Sequence, residues 1–277
     1  MNSRLAAAAV VALALGAVGL TSPAAATTGP VKPMLQFTLG PDMTGDGRGE
    51  TLAVDATGAL FLFPGTADGR LATPILLGGG FGDEQVFAPG DLDSDGRADV
   101  LAVTTDGNLW LYHGRGTAPL GDRVPVGSGW TGWRLVPAGD LTGDGQADLL
   151  GINSQGNLFL FAGKGNGRFA TRVQVGSGWQ GWRLQAAGDL NGDGKADIVG
   201  INPRGLLYQY LGKGNGRFAA RQAAGSGWGD FTLAAGADLS GDGRADLLGC
   251  SQASGALYYY RGLGNARFAA RALVDVS

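Results

Sequence analysis

A short acidic phrase recurs five times along the chain in nearly the same words, read in its third copy as GDLTGDGQADLLGI from residue 139 to 152. Its first acid falls at Asp42, Asp91, Asp140, Asp189 and Asp238, so the period is 49 residues every time. A period of that size, held without drift, confines a chain to architectures in which one supersecondary unit is used repeatedly, in an open stack or a closed ring. The repeats run at about 33–81, 82–130, 131–179, 180–228 and 229–277 and leave a lead of only 27–32, so a single domain is expected.

Within each phrase the odd positions carry oxygen or can offer a backbone carbonyl, and position 6 is always Gly. Positions 1, 3, 5, 7 and 9 read Asp42, Thr44, Asp46, Arg48 and Glu50 in the first copy, then Asp91, Asp93, Asp95, Arg97 and Asp99 in the second. The third has Asp140, Thr142, Asp144, Gln146 and Asp148, and the fourth Asp189, Asn191, Asp193, Lys195 and Asp197. The fifth has Asp238, Ser240, Asp242, Arg244 and Asp246. Alternate side chains of a tight loop turn inward, position 7 adds its carbonyl, and the Gly makes a bend that a Cβ would obstruct. This is the pattern of a calcium loop. Sixteen of the 24 acids lie in the five loops, and crowding of that kind is repulsive unless a cation sits among them. The expected cofactor is Ca²⁺, up to five ions, in a structural role. At roughly 1 mM free ion and dissociation constants of about 10⁻⁴ to 10⁻³ M, five sites would add about 2 to 7 kcal/mol.

Residues 1–26 have the form of a secretory signal, with Arg4 before an apolar run over 5–20 and Ala24-Ala25-Ala26 as a cleavage site. The expectation is a secreted, bacterial protein with no membrane insertion. The formal charge of -3 becomes -4 without Arg4, and five bound Ca²⁺ would take it to about +6. No basic run points to nucleic acid. Cys250 is the only cysteine and falls where other copies have Val54, Val103, Ile152 and Ile201, so it reads as a small core residue and no internal disulfide exists.

Each repeat reads as four short strands, in the third copy about 134–137, 148–153, 158–162 and 171–175, with turns that account for many of the 52 glycines. NLFLF, NLWLY and ALFLF are apolar on both faces, so each sheet must be covered on both sides. Four-stranded antiparallel sheets packed face to face around an axis make a β-propeller, and the first and last repeats lack the polar outer faces that an open stack needs. The fold class expected is all-β, a five-bladed propeller of four-stranded antiparallel blades with a calcium loop in each. The small residue at one register of the second strand, Ala53, Ala102, Gly151, Gly200 and Gly249, suggests close approach of another backbone and places that strand near the axis. Strand parity puts the calcium loops and the GKGNGRF loops on one face and the GSGWTGW connectors on the other.

These residues resemble the FG-GAP, or VCBS-type, repeat of the calcium-bearing propeller at the head of integrin α chains and of some fungal propeller lectins. Phe81-Gly82 is similar to the Phe-Gly signature, GDLDSDGRADVLAV to the metal-loop core, and DIVGINP to the segment ending in Gly-Ala-Pro. Integrin heads have seven blades where five are counted here. The resemblance implies calcium in each loop and a role in recognition, without naming the ligand.

Trp130, Trp133, Trp179, Trp182 and Trp228 recur at the blade junctions, either as packing between blades or as stacking surfaces for a ligand. His113, the sole histidine, aligns with Pro64, Ala162, Leu211 and Arg261 and reads as a variable strand end, neither ligand nor base. Arg168, Arg217 and Arg267 read as solvated or aromatic-covering arginines. No acid pair, nucleophile or second histidine marks an active site. The expectation is therefore a monomeric, non-catalytic recognition module whose partner is a glycan or an extracellular protein. The alternatives are a protein-binding scaffold like the integrin head and a glycan-cleaving propeller enzyme.

Overall fold

The computed structural model describes residues 34–47, 49–65, 72–236, 242, 244–254 and 256–273. The signal and lead, together with Arg48, Asp238 and Ser240 of the expected loops, lie outside the described residues. Five four-stranded antiparallel sheets follow one another, each with its strands in sequence order. They are β1 (Met34–Leu39), β2 (Thr51–Asp55), β3 (Leu60–Phe63) and β4 (Ile75–Gly78); β5 (Gln85–Gly90), β6 (Asp99–Val103), β7 (Leu109–Tyr112) and β8 (Arg123–Gly127); β9 (Arg134–Gly139), β10 (Asp148–Ile152), β11 (Leu158–Phe161) and β12 (Val173–Gly176). The last two are β13 (Arg183–Gly188), β14 (Asp197–Ile201), β15 (Leu207–Tyr210) and β16 (Gln222–Gly225); β17 (Phe231–Ala235), β18 (Leu247–Ser251), β19 (Leu257–Tyr260) and β20 (Ala272–Leu273). The molecule is a five-bladed β-propeller. No helix among the described residues is long and apolar enough to cross a membrane.

The second strand of every blade is buried along its whole length, and the fourth is partly exposed, with no buried residue in β8 or β12. Four apolar clusters fill the spaces between successive blades. One joins Leu150 and Leu158 of the third blade to Trp179 and Ile198 of the fourth, and another joins Leu101 and Leu109 of the second to Leu149 and Phe161 of the third.

The axis is lined by the first strands, which corrects the expectation that the second strands would stand there. Neighbouring first strands of four blades close around a cavity of about 270 Å³ bordered by Thr38, Val86, Val136 and Leu184. The small residue in the second strand has another cause. A Cβ on Gly151 would come within 2.9 Å of the Trp133 ring and 3.0 Å of Phe161, and one on Gly249 within 2.9 Å of Trp228. The position is kept small to admit aromatic rings, whereas the close backbone approach lies at Gly163, where a Cβ would stand 2.2 Å from the carbonyl oxygen of Ala147.

The two-face deduction agrees with the hydrogen bonding. Gly167 N donates to Leu92 O at 2.7 Å, Gly216 N to Leu141 O at 2.8 Å and Ala266 N to Leu190 O at 2.9 Å, so the second, third and fourth acidic loops are each joined to the third-to-fourth-strand loop of the next blade. On the other face Trp130 N donates to Gly107 O at 3.0 Å, and Trp179 N to Gly156 O and Trp228 N to Gly205 O at 2.9 Å.

Candidate metal loops and a cleft between blades

The first four acidic loops are each wound around their first carboxylate. In the third, Asp140 Oδ1 accepts from the amides of Gly143 at 2.6 Å and Asp144 at 3.2 Å, and Oδ2 from Gly145 at 2.8 Å. Asp42, Asp91 and Asp189 make the same three contacts. Against the opposing effect of burial, these amides hold Asp42 below the usual carboxylate range.

The position-9 acid does something that the sequence pattern did not reveal. Asp99, Asp148 and Asp197 are wholly buried, and each ties two segments together. Asp197 Oδ2 accepts from Leu190 N at 2.8 Å within its loop, and Oδ1 from Gly212 N at 2.7 Å at the start of the next hairpin. Leu92 and Gly114 serve Asp99 likewise, and Leu141 and Gly163 serve Asp148. In the fifth copy Asp246 takes Gly262 N at 2.8 Å and the Tyr259 hydroxyl at 2.9 Å. In the first, Glu50 takes Met43 N and the Thr44 hydroxyl. Burial raises the carboxyl of Asp99 to about 6, with the neighbouring Asp93 and Asp95 adding repulsion. Asp148, Asp197 and Glu50 move in the same direction, again chiefly through burial.

Carboxylate oxygens of Asp42, Asp46 and Glu50 lie within 4.8 Å of one another, as do those of Asp91, Asp93 and Asp95. Oxygen-only donor sets with crowded, partly desolvated negative charge fit a hard divalent cation such as Ca²⁺, which would neutralise the repulsion and fix the loop. At position 3 the third and fourth loops carry Thr142 and Asn191 where the second has Asp93, so each holds three acids rather than four. In two loops the charged side chain of position 7 turns back onto the position-5 carboxylate, and in a third the position-7 side chain reaches the preceding blade. Lys195 Nζ is 3.2 Å from Asp193, an Arg244 guanidinium nitrogen is 3.9 Å from Asp242, and Gln146 accepts from the Ser94 hydroxyl of the preceding blade at 3.1 Å. Arg97 bonds through its amide to Asp95 at 2.9 Å.

His113 is more than a strand end. Its Nδ1 lies 2.6 Å from Asp93 Oδ2, and with Asp99 it forms a third close group of metal-type donors beside the second loop. The third strand of the second blade ends at Tyr112, so the next side chain is directed towards that blade's own acidic loop. The residues aligned with it in other copies cannot do this, and alignment therefore hid it.

Trp179, Trp182 and Trp228 are buried between blades, while Trp130 and Trp133 are half-buried. Each connector ring packs on the end of the third strand of the blade that follows: Trp179 on Tyr210 at 4.9 Å, Trp228 on Tyr260 at 4.8 Å, Phe81 on Tyr112 at 5.1 Å and Trp130 on Phe161 at 4.7 Å between centroids. Burying one such ring stabilises by about 4 to 6 kcal/mol at 25 cal/mol per Å². The arginines that cover rings are not Arg168, Arg217 and Arg267, which are exposed, but Arg123 over Trp110, Arg172 over Phe159, Arg221 over Tyr208 and Arg271 over Tyr258. Between the outer strands of the second and third blades, Trp130, Phe161, Phe169, Arg168 and Arg172 border a cleft of about 540 Å³.

A propeller whose blades each carry an Asp-rich loop of fixed spacing defines a class of repeat protein. The chain belongs to the FG-GAP-like repeat family, whose model matches residues 42–102, 91–151, 140–200 and 189–249, well over half its length. No curated protein sequence matches it. Among solved structures it is similar to an Agrocybe aegerita lectin described by its specific recognition of non-reducing terminal N-acetylglucosamine, at 23% identity and a TM-score of 0.57 over 87% of this chain and 67% of that one. It is also similar to the BP39L lectin of Burkholderia pseudomallei, at 12% identity and a TM-score of 0.55 over 86% of this chain and 69% of that one. A third likeness is to part of the Photorhabdus luminescens Tc holotoxin pore, at 19% identity and 0.52, over 88% of this chain and 12% of that one.

Proposed function

We propose that the protein is a secreted, calcium-stabilised recognition module that binds carbohydrate and performs no catalysis. The observation that carries the carbohydrate reading is the cleft between the second and third blades, where half-buried Trp130 meets hydrogen-bonding side chains. Sugar rings present apolar faces to aromatic side chains and hydroxyls to polar ones, and such a cleft offers both. That two similar propellers are lectins supports the reading. A non-catalytic role is supported by the same likeness, since both of those propellers are described as lectins. Calcium enters through the acidic loops, and secretion through the residue 1–26 pattern.

A glycan array read with and without calcium tests this directly. The expected result is binding to a defined subset of glycans that weakens when a chelator loosens the loops. Silence across cell-wall, chitin and plant polysaccharides would refute it.

A further inference from the structure

The junction between the second and third blades departs from those on either side at the end of the third strand. At the end of the third strand the second, fourth and fifth blades carry Tyr112, Tyr210 and Tyr260, whereas the first and third carry Phe63 and Phe161. The Tyr210 phenol oxygen stands close to the Arg221 guanidinium, and the Tyr260 phenol oxygen to that of Arg271. Phe161 offers the equivalent Arg172 no such acceptor, and Arg172 lies against the faces of Phe159 at 5.3 Å and Trp133 at 5.6 Å, its donors unused. Arg168 stands exposed at the same cleft, and neither arginine has a carboxylate partner among the described residues. The Trp130 indole N–H is shut off from solvent with no acceptor. Thr171 adds a hydroxyl at the rim.

The two guanidiniums and the Thr171 hydroxyl can donate into the cleft, no acid lines it, and aromatic rings form its wall. Two guanidiniums sharing one rim repel each other and favour an anion between them, and a guanidinium matches a carboxylate with two parallel hydrogen bonds. The geometry points to a subsite for an acidic sugar, a pyranose bearing a carboxylate within a polysaccharide, held with its ring against Trp130 and its carboxylate at Arg168 and Arg172. This rests on the carbohydrate reading above and narrows it to one junction and one charge class.

The test is titration of the full-length secreted chain, in fixed calcium, with a tetramer of galacturonic acid and with the same tetramer reduced to the neutral sugar, followed by tryptophan fluorescence. The acidic tetramer should bind, and the neutral one should bind at least about tenfold more weakly. Phe161→Tyr restores the side chain found in the neighbouring blades, so it should fold with an unchanged melting temperature while supplying Arg172 with a phenol and filling the cleft. That variant and Arg172→Gln should each weaken the acidic tetramer at least about tenfold. Equal binding of the two tetramers, equal binding of poly-glutamate, or undiminished binding by Phe161→Tyr would overturn the inference, the last by directing the uronate to the calcium loops. If the array shows neutral glycans bound and the acidic tetramer does not bind, the charge assignment fails while the carbohydrate reading stands. Silence to every glycan removes both.

Discussion

At the scale of single residues the position-9 carboxylate matters most, because it is both a metal-type donor and the buried acceptor of two backbone amides. In Asp197 those amides come from Leu190 and Gly212, so Asp197→Asn would turn an NH₂ group towards one of them and leave buried donors unpaired. The expected loss is about 2 to 3 kcal/mol by urea unfolding, present in chelator as well as in calcium. A loss confined to calcium would reduce the residue to a ligand. The same burial sets a pH dependence. Asp99 is raised from 3.8 to about 6, so without metal the folded state holds a proton that the unfolded state has released between those values. Stability therefore falls as pH rises through that window, and the penalty is complete above it, on the order of 3 kcal/mol for Asp99 alone. Asp148, Asp197 and Glu50, also raised, act with the same sign. In chelator the urea midpoint should be higher at pH 5 than at pH 7, and the reverse order would contradict the burial account.

At the scale of elements, acidic loop and hairpin form one unit. The loop of one blade bonds to the hairpin of the next through Leu92, Leu141 and Leu190 carbonyls, while its own hairpin is clasped by the buried acid. A cation that orders the loop thus orders the junction between blades. The tightest point of this unit is glycine, since a Cβ at Gly163 would overlap the Ala147 carbonyl oxygen at 2.2 Å. Gly163→Ala should cost at least about 3 kcal/mol in thermal or urea unfolding, because backbone rather than a flexible side chain has to move. A near-native melt would show that the hairpin sits less closely on its loop.

For the whole molecule, the period of 49, the apolar strands and the turn glycines were enough to give the five blades, their four antiparallel strands and the faces on which the loops emerge. These features repeat, so each local pattern was read several times over. What the sequence hid depends on which blade meets which. The second strand was expected at the axis because Gly151 looked like a backbone contact, and only the fold shows Trp133 and Phe161 filling that space. His113 and Phe161 are departures from their aligned partners, and repeat-averaged reading passes over departures. The clasp formed by Asp148 joins residues on two loops, a pairing that spacing alone does not encode. The central claim is that divalent ions offset the charge crowded into these loops and so hold the blades together. The most direct measurement is calcium content by elemental analysis after equilibrium dialysis at millimolar free calcium. The account predicts about five ions per chain, one for each loop, and a content indistinguishable from the buffer would contradict it.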